Sequence, residues 1–410
     1  MKSSYKNLSI VGFSNFINLG LGLILFSAAA KSLNLTEFGL YSLLTIFLVW
    51  FSKFIDFGSN SEYVSNFLSK NKSYLNELIN FKILSFIISS IIGCISIYSA
   101  INFYYNFKNT LININLNIII PLFILGLFFY GINYLLFALY QKEEKFLKAS
   151  LLNFFPALIK GIIGGLILLN FIKLDLDSFF AIFALSMAGS SIFLIEKIDT
   201  FKNFKFNLKI SHFLKNFFLS GTSQQINESW GTISNFLTFI FKNLSDLGNY
   251  SFASKLSNVF SVISYSIYTV ILTSNAKRKR DSLSYNLKES LILGFFLLII
   301  ATIGTTVAPK IISIIFGDKF NDSISIFSIL IFSGALASIH KFLDNYFFIE
   351  EKSYTLFAFT LTKLILFVIL SYIFINSFGI LGLALADLVV SFITTTTTFT
   401  YIYFNSKKEN

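Results

Sequence analysis

Four polar side chains crowd six residues of an otherwise apolar stretch: His340, Lys341, Asp344 and Asn345. His340 and Asp344 are one helical turn apart and Lys341 is three residues from the same carboxylate, so Asp344 can partner either base. Such a cluster can hold and release a proton, and it reads either as an ion relay or as a neutralised pair near the headgroups. Gln224, Asn227 and Glu228 repeat at spacings of three and four, which puts them on one helical face. Asn15 and Asn18 share a face in the same way. Amides so placed can bind sugar hydroxyls in a wet cavity or bond helix to helix. Lys53 and Asp56 have the spacing of an internal pair. Lys160 and Lys363 have no acidic residue close by in their own segments, and with Lys255 they are candidate contacts for an anion. Asp387 is a further acid in an apolar segment.

These groups matter because of what surrounds them. The chain is 55% apolar and only 13% charged, with a mean hydropathy of +0.72, against about 25% charged in soluble proteins. Too few polar residues remain to cover a folded surface in water, so the solvent is a bilayer. An ionisable group inside a span costs about 2.5–3.5 kcal/mol on insertion scales and therefore marks a wet path, an internal partner or a function.

Windows of about 20 apolar residues, enough to cross some 30 Å of hydrocarbon, occur twelve times. The first six are Leu8–Ala30, Leu40–Gly58, Ile79–Ile101, Ile118–Tyr140, Leu151–Phe171 and Phe179–Ile195. The second six are Phe217–Phe241, Tyr250–Leu272, Leu291–Ala308, Ile324–Ile349, Tyr354–Ile375 and Ile380–Phe404. Lys2, Lys6 and Ala28–Ala30 give the first window the look of a secretory signal. Its length and the spans that follow favour a retained first span. With the amino terminus inside, the outer loops hold only Lys31, Lys108, Lys173, Lys242, Lys310 and Lys319. The remaining loop lysines and the run Lys277–Arg280 are then cytoplasmic, as the positive-inside bias requires. That placement accounts for the net charge of +11 without nucleic acid.

Gly12-Phe13-Ser14-Asn15-Phe16-Ile17-Asn18 returns as Gly221-Thr222-Ser223-Gln224-Gln225-Ile226-Asn227, 209 residues on (221 − 12). Asn34-Leu35-Thr36-Glu37-Phe38-Gly39 returns at the same offset as Asn243-Leu244-Ser245-Asp246-Leu247-Gly248, and Glu143-Glu144-Lys145 returns as Glu350-Glu351-Lys352. The expected fold is an all-α polytopic membrane protein whose twelve transmembrane helices form two six-helix bundles related as parallel repeats. Residues 1–195 form the first bundle, 196–216 a basic cytoplasmic linker and 217–410 the second bundle. Pro156 frees a carbonyl one turn back and marks a hinge in the fifth span. Gly161 and Gly165 have small-xxx-small spacing for close helix packing.

One cysteine, Cys94, permits no internal disulfide. No Walker A loop, metal-ligand spacing or catalytic constellation is present, which points to transport rather than an enzyme, with no cofactor and no metal.

The twelve spans, the duplication, the segment Asn34–Ser42 and Phe316-Gly317-Asp318-Lys319-Phe320 after Pro309 resemble the polysaccharide-biosynthesis flippases. These are O-antigen and capsule repeat-unit exporters of the multidrug/oligosaccharidyl-lipid/polysaccharide superfamily. The resemblance implies a V-shaped pair of bundles in the bacterial inner membrane, both termini cytoplasmic. They move an undecaprenyl-pyrophosphate-linked oligosaccharide outward by alternating access, coupled to a gradient of H+ or Na+. On that reading Lys160, Lys363 and Lys255 meet the anion, while Asn15, Asn18, Gln224 and Asn227 meet sugar. Glu228, His340, Lys341 and Asp344 are then the ion-coupling candidates. Implied partners are the lipid-linked oligosaccharide, membrane lipid, and the glycan polymerase and chain-length machinery. A membrane glycan polymerase or ligase and a multidrug exporter of the same superfamily are the alternatives. A polymerase would carry a long external loop, and no outer loop here is long.

Overall fold

The structure is a computed structural model that describes residues 2–60, 63, 73–108, 114–143, 145–202, 204, 206, 218, 221–223, 225–227, 229–258, 287–350 and 352–406. Among the described residues there is no strand. Chain atoms in hydrocarbon have no water to bond, so each backbone N–H and C=O must be satisfied within its own segment, and helix is the open-chain solution. The chain divides into two compact units, Met1–Thr232 and Ile233–Asn410.

The first unit contains α1 (Lys2–Ser32), α2 (Leu35–Asp56), α3 (Ser73–Lys108), α4 (Leu116–Lys142) and α5 (Phe146–Leu168). A composite sixth element follows: α6 (Leu176–Leu185), a 3-10 stretch Ser186–Phe193, and α7 (Leu194–Phe201). Helix α8 (Trp230–Phe241) crosses the boundary between units. The second unit continues with α9 (Leu244–Ser257), α10 (Leu287–Phe316), α11 (Asn321–Ile349), α12 (Ser353–Phe378) and α13 (Ile380–Ser406). Eight stretches among the described residues are long and apolar enough to cross a membrane. The first expected span lies in α1, and the later part of the eighth lies outside the described residues. The short sixth window is extended to Leu176–Phe201 through its 3-10 stretch, and the ninth runs on through Pro309 to Phe316.

Apolar side chains line the outside of these helices. Ile87, Ile88, Ile91, Ile92 and Ile95 form an exposed stripe on α3, and Ile365, Val368, Ile369 and Tyr372 form one on α12. In water such patches would drive association; against lipid they are the required surface.

The repeated motifs fold alike. Asn34 caps α2 by accepting from the Glu37 N–H at 2.8 Å, and Asn243 caps α9 by accepting from the Asp246 N–H at 2.7 Å. Both cap residues are extended, and Phe38 and Leu247 are each fully buried at the matching position. At the other repeat the Lys145 N–H bonds the Tyr140 carbonyl at 2.9 Å and the Lys352 N–H bonds the Phe347 carbonyl at 2.8 Å. One turn geometry thus closes α4 and α11. The Phe316–Phe320 motif is also a turn: Gly317 takes a left-handed φ of 61°, and Phe320 is buried in a stack on Phe252 at 4.0 Å.

Helices approach closely where glycine permits. A Cβ at Gly161 would meet the Leu21 side chain at 2.6 Å, and one at Gly164 would meet the backbone of Leu25 at 2.7 Å. Gly165 faces open space. The packing pair on α5 is therefore Gly161 with Gly164, one helical turn, rather than the Gly161/Gly165 pair that spacing suggests. Gly164→Ala should lower stability by about 1–3 kcal/mol through forced separation of α1 and α5. Gly165→Ala should leave it level or raise it, as thermal unfolding of the purified protein would show.

Candidate functional site

A charged pair in the first unit joins a buried lysine to a half-buried carboxylate. Lys82 on α3 donates to Asp56 Oδ1 at 3.0 Å and to Ser59 Oγ at 3.3 Å, and its ammonium lies 5.8 Å from the centre of the Tyr134 ring. Sequence spacing points to Lys53 as a partner of Asp56, and the structure brings Lys82 to the same carboxylate from the next helix. Lys82 escaped the sequence reading because it opens the third span, where a cation passes for a loop residue. Helix α2 ends at this pair: Phe57 is left-handed at φ 41° and Gly58 follows at φ 80°.

Pro156 is buried in an unbroken α5. It has no N–H for the Leu152 carbonyl, and Asn133 of α4 supplies the missing donor, with Nδ2 3.1 Å from Leu152 O. Asn133 is itself buried. The proline site is therefore held from outside its own helix. One turn on, Lys160 lies over the face of Phe183 at 4.2 Å, a cation–π contact between α5 and α6. On α1, Asn18 donates to Ser14 Oγ at 3.5 Å, and Ser14 reaches the Ser150 carbonyl. Asn227 is helical and exposed, and Lys255 is exposed on α9. Gln224, Glu228 and the side chain of Asn15 lie outside the described residues.

At one end of this unit, charges lock the α4–α5 turn to α7. Lys148 reaches Glu196 at 2.5 Å, Tyr140 donates to the same carboxylate at 3.0 Å, and Glu143 holds both Lys145 and Lys197. Its hydrogen bond to Glu143 holds the pKa of the Lys145 ammonium above the ordinary lysine value.

The second unit gathers the larger set of charges. His340 and Asp344 face each other on α11, Nε2 to Oδ1 at 3.7 Å, and both are buried. Lys363 of α12, also buried, interacts with Asp344 and with Asp387 of α13. Asp387 in turn interacts with Tyr250 of α9, which hydrogen-bonds Ser234 of α8. Lys341 also acts on Asp344, but from an exposed position. Hydroxyl contacts extend the set: Ser323 donates to Asn249 at 2.9 Å, Ser251 to Asn235 at 2.5 Å, and Ser333 pairs with Ser391 at 3.1 Å. Lys363, a candidate anion contact by sequence, is thus buried within electrostatic reach of two carboxylates on neighbouring helices.

Comparison with known proteins places this arrangement. The family model described as "Polysaccharide biosynthesis protein" matches residues 4–272. The chain belongs to that family. No curated protein matches the chain. Among solved structures, an inward-facing multidrug resistance transporter of the MATE family, from the MOP superfamily, has a TM-score of 0.76 at 12% identity, covering 95% of each chain. The lipid II flippase MurJ, in an inward closed conformation, has a TM-score of 0.75 at 17% identity, covering 97% of this chain and 87% of the other. An outward-facing MATE-family structure follows at 0.67 and 13%, covering 98% of this chain and 96% of the other. At such identities the likeness is one of fold. The polysaccharide biosynthesis family member described here is thus a multi-pass helical membrane protein with a MATE- and MurJ-like fold.

Two substitutions test its buried polar contacts. Lys82→Met should cost about 3–5 kcal/mol by stranding Asp56, and Asp56→Asn with Lys82→Met should recover most of it; a double variant as unstable as the single one would contradict the pair. Asn133→Leu should lower the melting temperature by orphaning the Leu152 carbonyl. In a Pro156→Ala background, where the new side chain's residue brings back a backbone N–H, Asn133→Leu should cost little, so the cycle should be strongly non-additive.

Proposed function

We propose that this protein carries an undecaprenyl-pyrophosphate-linked oligosaccharide, an O-antigen or capsule repeat unit, from the cytoplasmic to the periplasmic leaflet of the bacterial inner membrane. Membership of the polysaccharide biosynthesis family carries the reading. The fold shared with a lipid II flippase and with MATE transporters supports a transporter rather than an enzyme. Two copies of a six-helix unit with cytoplasmic termini work by alternating access, which the matched caps at Asn34 and Asn243 and the matched turns at Lys145 and Lys352 favour.

The chemistry suits the load. A pyrophosphate needs a cation in a wet site, and Lys160, half-buried one turn after Pro156 of α5, is the first-choice contact, with Lys255 second. Asn18 and its repeat equivalent Asn227 supply amides for sugar hydroxyls, together with Asn15 and its equivalent Gln224. The polyprenyl tail stays in lipid. Coupling to a gradient of H+ or Na+ falls to the His340 and Asp344 cluster with Lys341, and to Glu228. The glycan polymerase and chain-length machinery are the partners downstream.

In a strain lacking the gene, lipid-linked repeat units should accumulate on the cytoplasmic leaflet with none outside, read by fractionation and mass spectrometry. Lys160→Gln should lower export while its level in the membrane stays unchanged. Single unpolymerised units outside would make the protein a polymerase. Normal surface glycan would turn the reading to drug export.

A further inference from the structure

We infer that α11 and α13 hold a buried water molecule between them, bound by His340, Asp344 and Thr398. The site stands on the geometry of the second unit. Its use, as the carrier that brings a proton to the His340 and Asp344 pair, rests on the coupling role proposed above.

Hydroxyl contacts between the two helices set the place. Ser391 pairs with Ser333 at 3.1 Å, and one turn on Thr395 donates to the Leu336 carbonyl at 3.2 Å. Both contacts advance in the same direction, so α13 runs parallel to α11 there, at an offset of 58 to 59 residues (391 − 333 and 395 − 336). The next turn brings Thr398 of α13 to the level of His340 of α11. One turn further, Ile402 shares an apolar core with Ile339 and Leu343, which closes that level off. Thr398 is 0% exposed, His340 6% and Asp344 8%.

At that level the hydrogen bonds run out. Thr394, Thr397 and Thr400 return their hydroxyls to carbonyls of their own helix. The Thr394 carbonyl, the usual acceptor for a threonine four residues on, already takes the Thr397 hydroxyl at 3.0 Å. Thr398 Oγ1, His340 Nδ1 and Asp344 Oδ1 are buried and have no hydrogen-bond partner among the described residues. Lys363 and Lys341 act on Asp344 as charges, but neither donates to Oδ1. His340 Nε2 stands 3.7 Å from that oxygen, beyond a hydrogen bond. Bare polar atoms in a buried place are costly, and one buried water answers about three of them at once. It can donate to Asp344 Oδ1 and accept from the Thr398 hydroxyl. It meets the imidazole in either tautomer, donating to a bare Nδ1 or accepting from Nδ1–H. A metal ion is a poorer match, since among the described residues no three His, Cys, Asp or Glu side chains come together to hold one. A proton that reaches this water passes on to the imidazole or the carboxylate, and the water is left as it was.

The test uses the purified full-length protein in lipid nanodiscs. A cryo-EM map fine enough to show ordered water should place one within hydrogen-bonding distance of Asp344 Oδ1 and of Thr398 Oγ1 or His340 Nδ1. Thr398→Val keeps the side chain's shape and removes its hydroxyl. That change should lower the melting temperature by about 2–4 °C, whereas Thr394→Val, whose hydroxyl only returns to its own helix, should shift it less. A map that shows the level empty, or closed by direct hydrogen bonds among the three groups, overturns the inference. So does a Thr398→Val variant at least as stable as wild type, because its hydroxyl then holds no water. A saturable rise in melting temperature with sodium chloride but not with choline chloride also overturns it, by making the occupant an ion. If the variant fails to fold, the wild-type map still decides. None of these readings needs the glycan, so a failed export phenotype and a dry site are told apart.

Discussion

Hydrocarbon supplies no hydrogen bonds, and that single constraint shapes the chain. Each polar atom placed inside must bring its partner with it, from its own helix or a neighbouring one. The bond from Asn133 to the Leu152 carbonyl is the clearest case. Proline removes one donor from α5, and a buried amide on α4 replaces it, so the proline site and the α4–α5 contact are one feature. Lys82 and Asp56 obey the same rule with charges.

The surface follows from the same rule reversed. Isoleucine stripes on α3 and valine and isoleucine stripes on α12 face outward, leaving polar groups for the interior. Helices that cannot rely on burying oil against oil are drawn together by shape and by buried hydrogen bonds. Hence the backbone of α1 rests against Gly164, and Gly126 on α4 takes the Leu48 side chain of α2.

Much of this was legible in the sequence because apolar runs, caps and repeats are local. Asn34 and Asn243 could be matched by eye, and their caps are the same in space. The membrane setting followed from composition, and the helical class from apolar windows of about 20 residues. Partnerships across helices were not legible. Asp56 had a lysine three residues away in the sequence, and the structure brings it another from twenty-six residues on. Lys363 looked unmatched because Asp344 and Asp387 lie on other helices, and only packing brings them near. The spacing of Gly161 and Gly165 fitted a familiar pattern, but the rotation of α5 turns Gly164 inward instead. Long-range pairing depends on helix rotation, which a single sequence with a weak amphipathic signal does not encode openly.

The cluster around Lys363 also has a history in time. Its members enter the bilayer in chain order: Asp344 with α11, Lys363 with α12, Asp387 with α13. Asp344 arrives with His340 one turn away, so it is never without a local base. Lys363 arrives next and finds that carboxylate already present. Asp387 comes last, into a site that holds a cation. Among these three groups no charge therefore enters more than one helix ahead of an opposite one, and the order of the acids and the lysine along the chain serves assembly as well as the finished site.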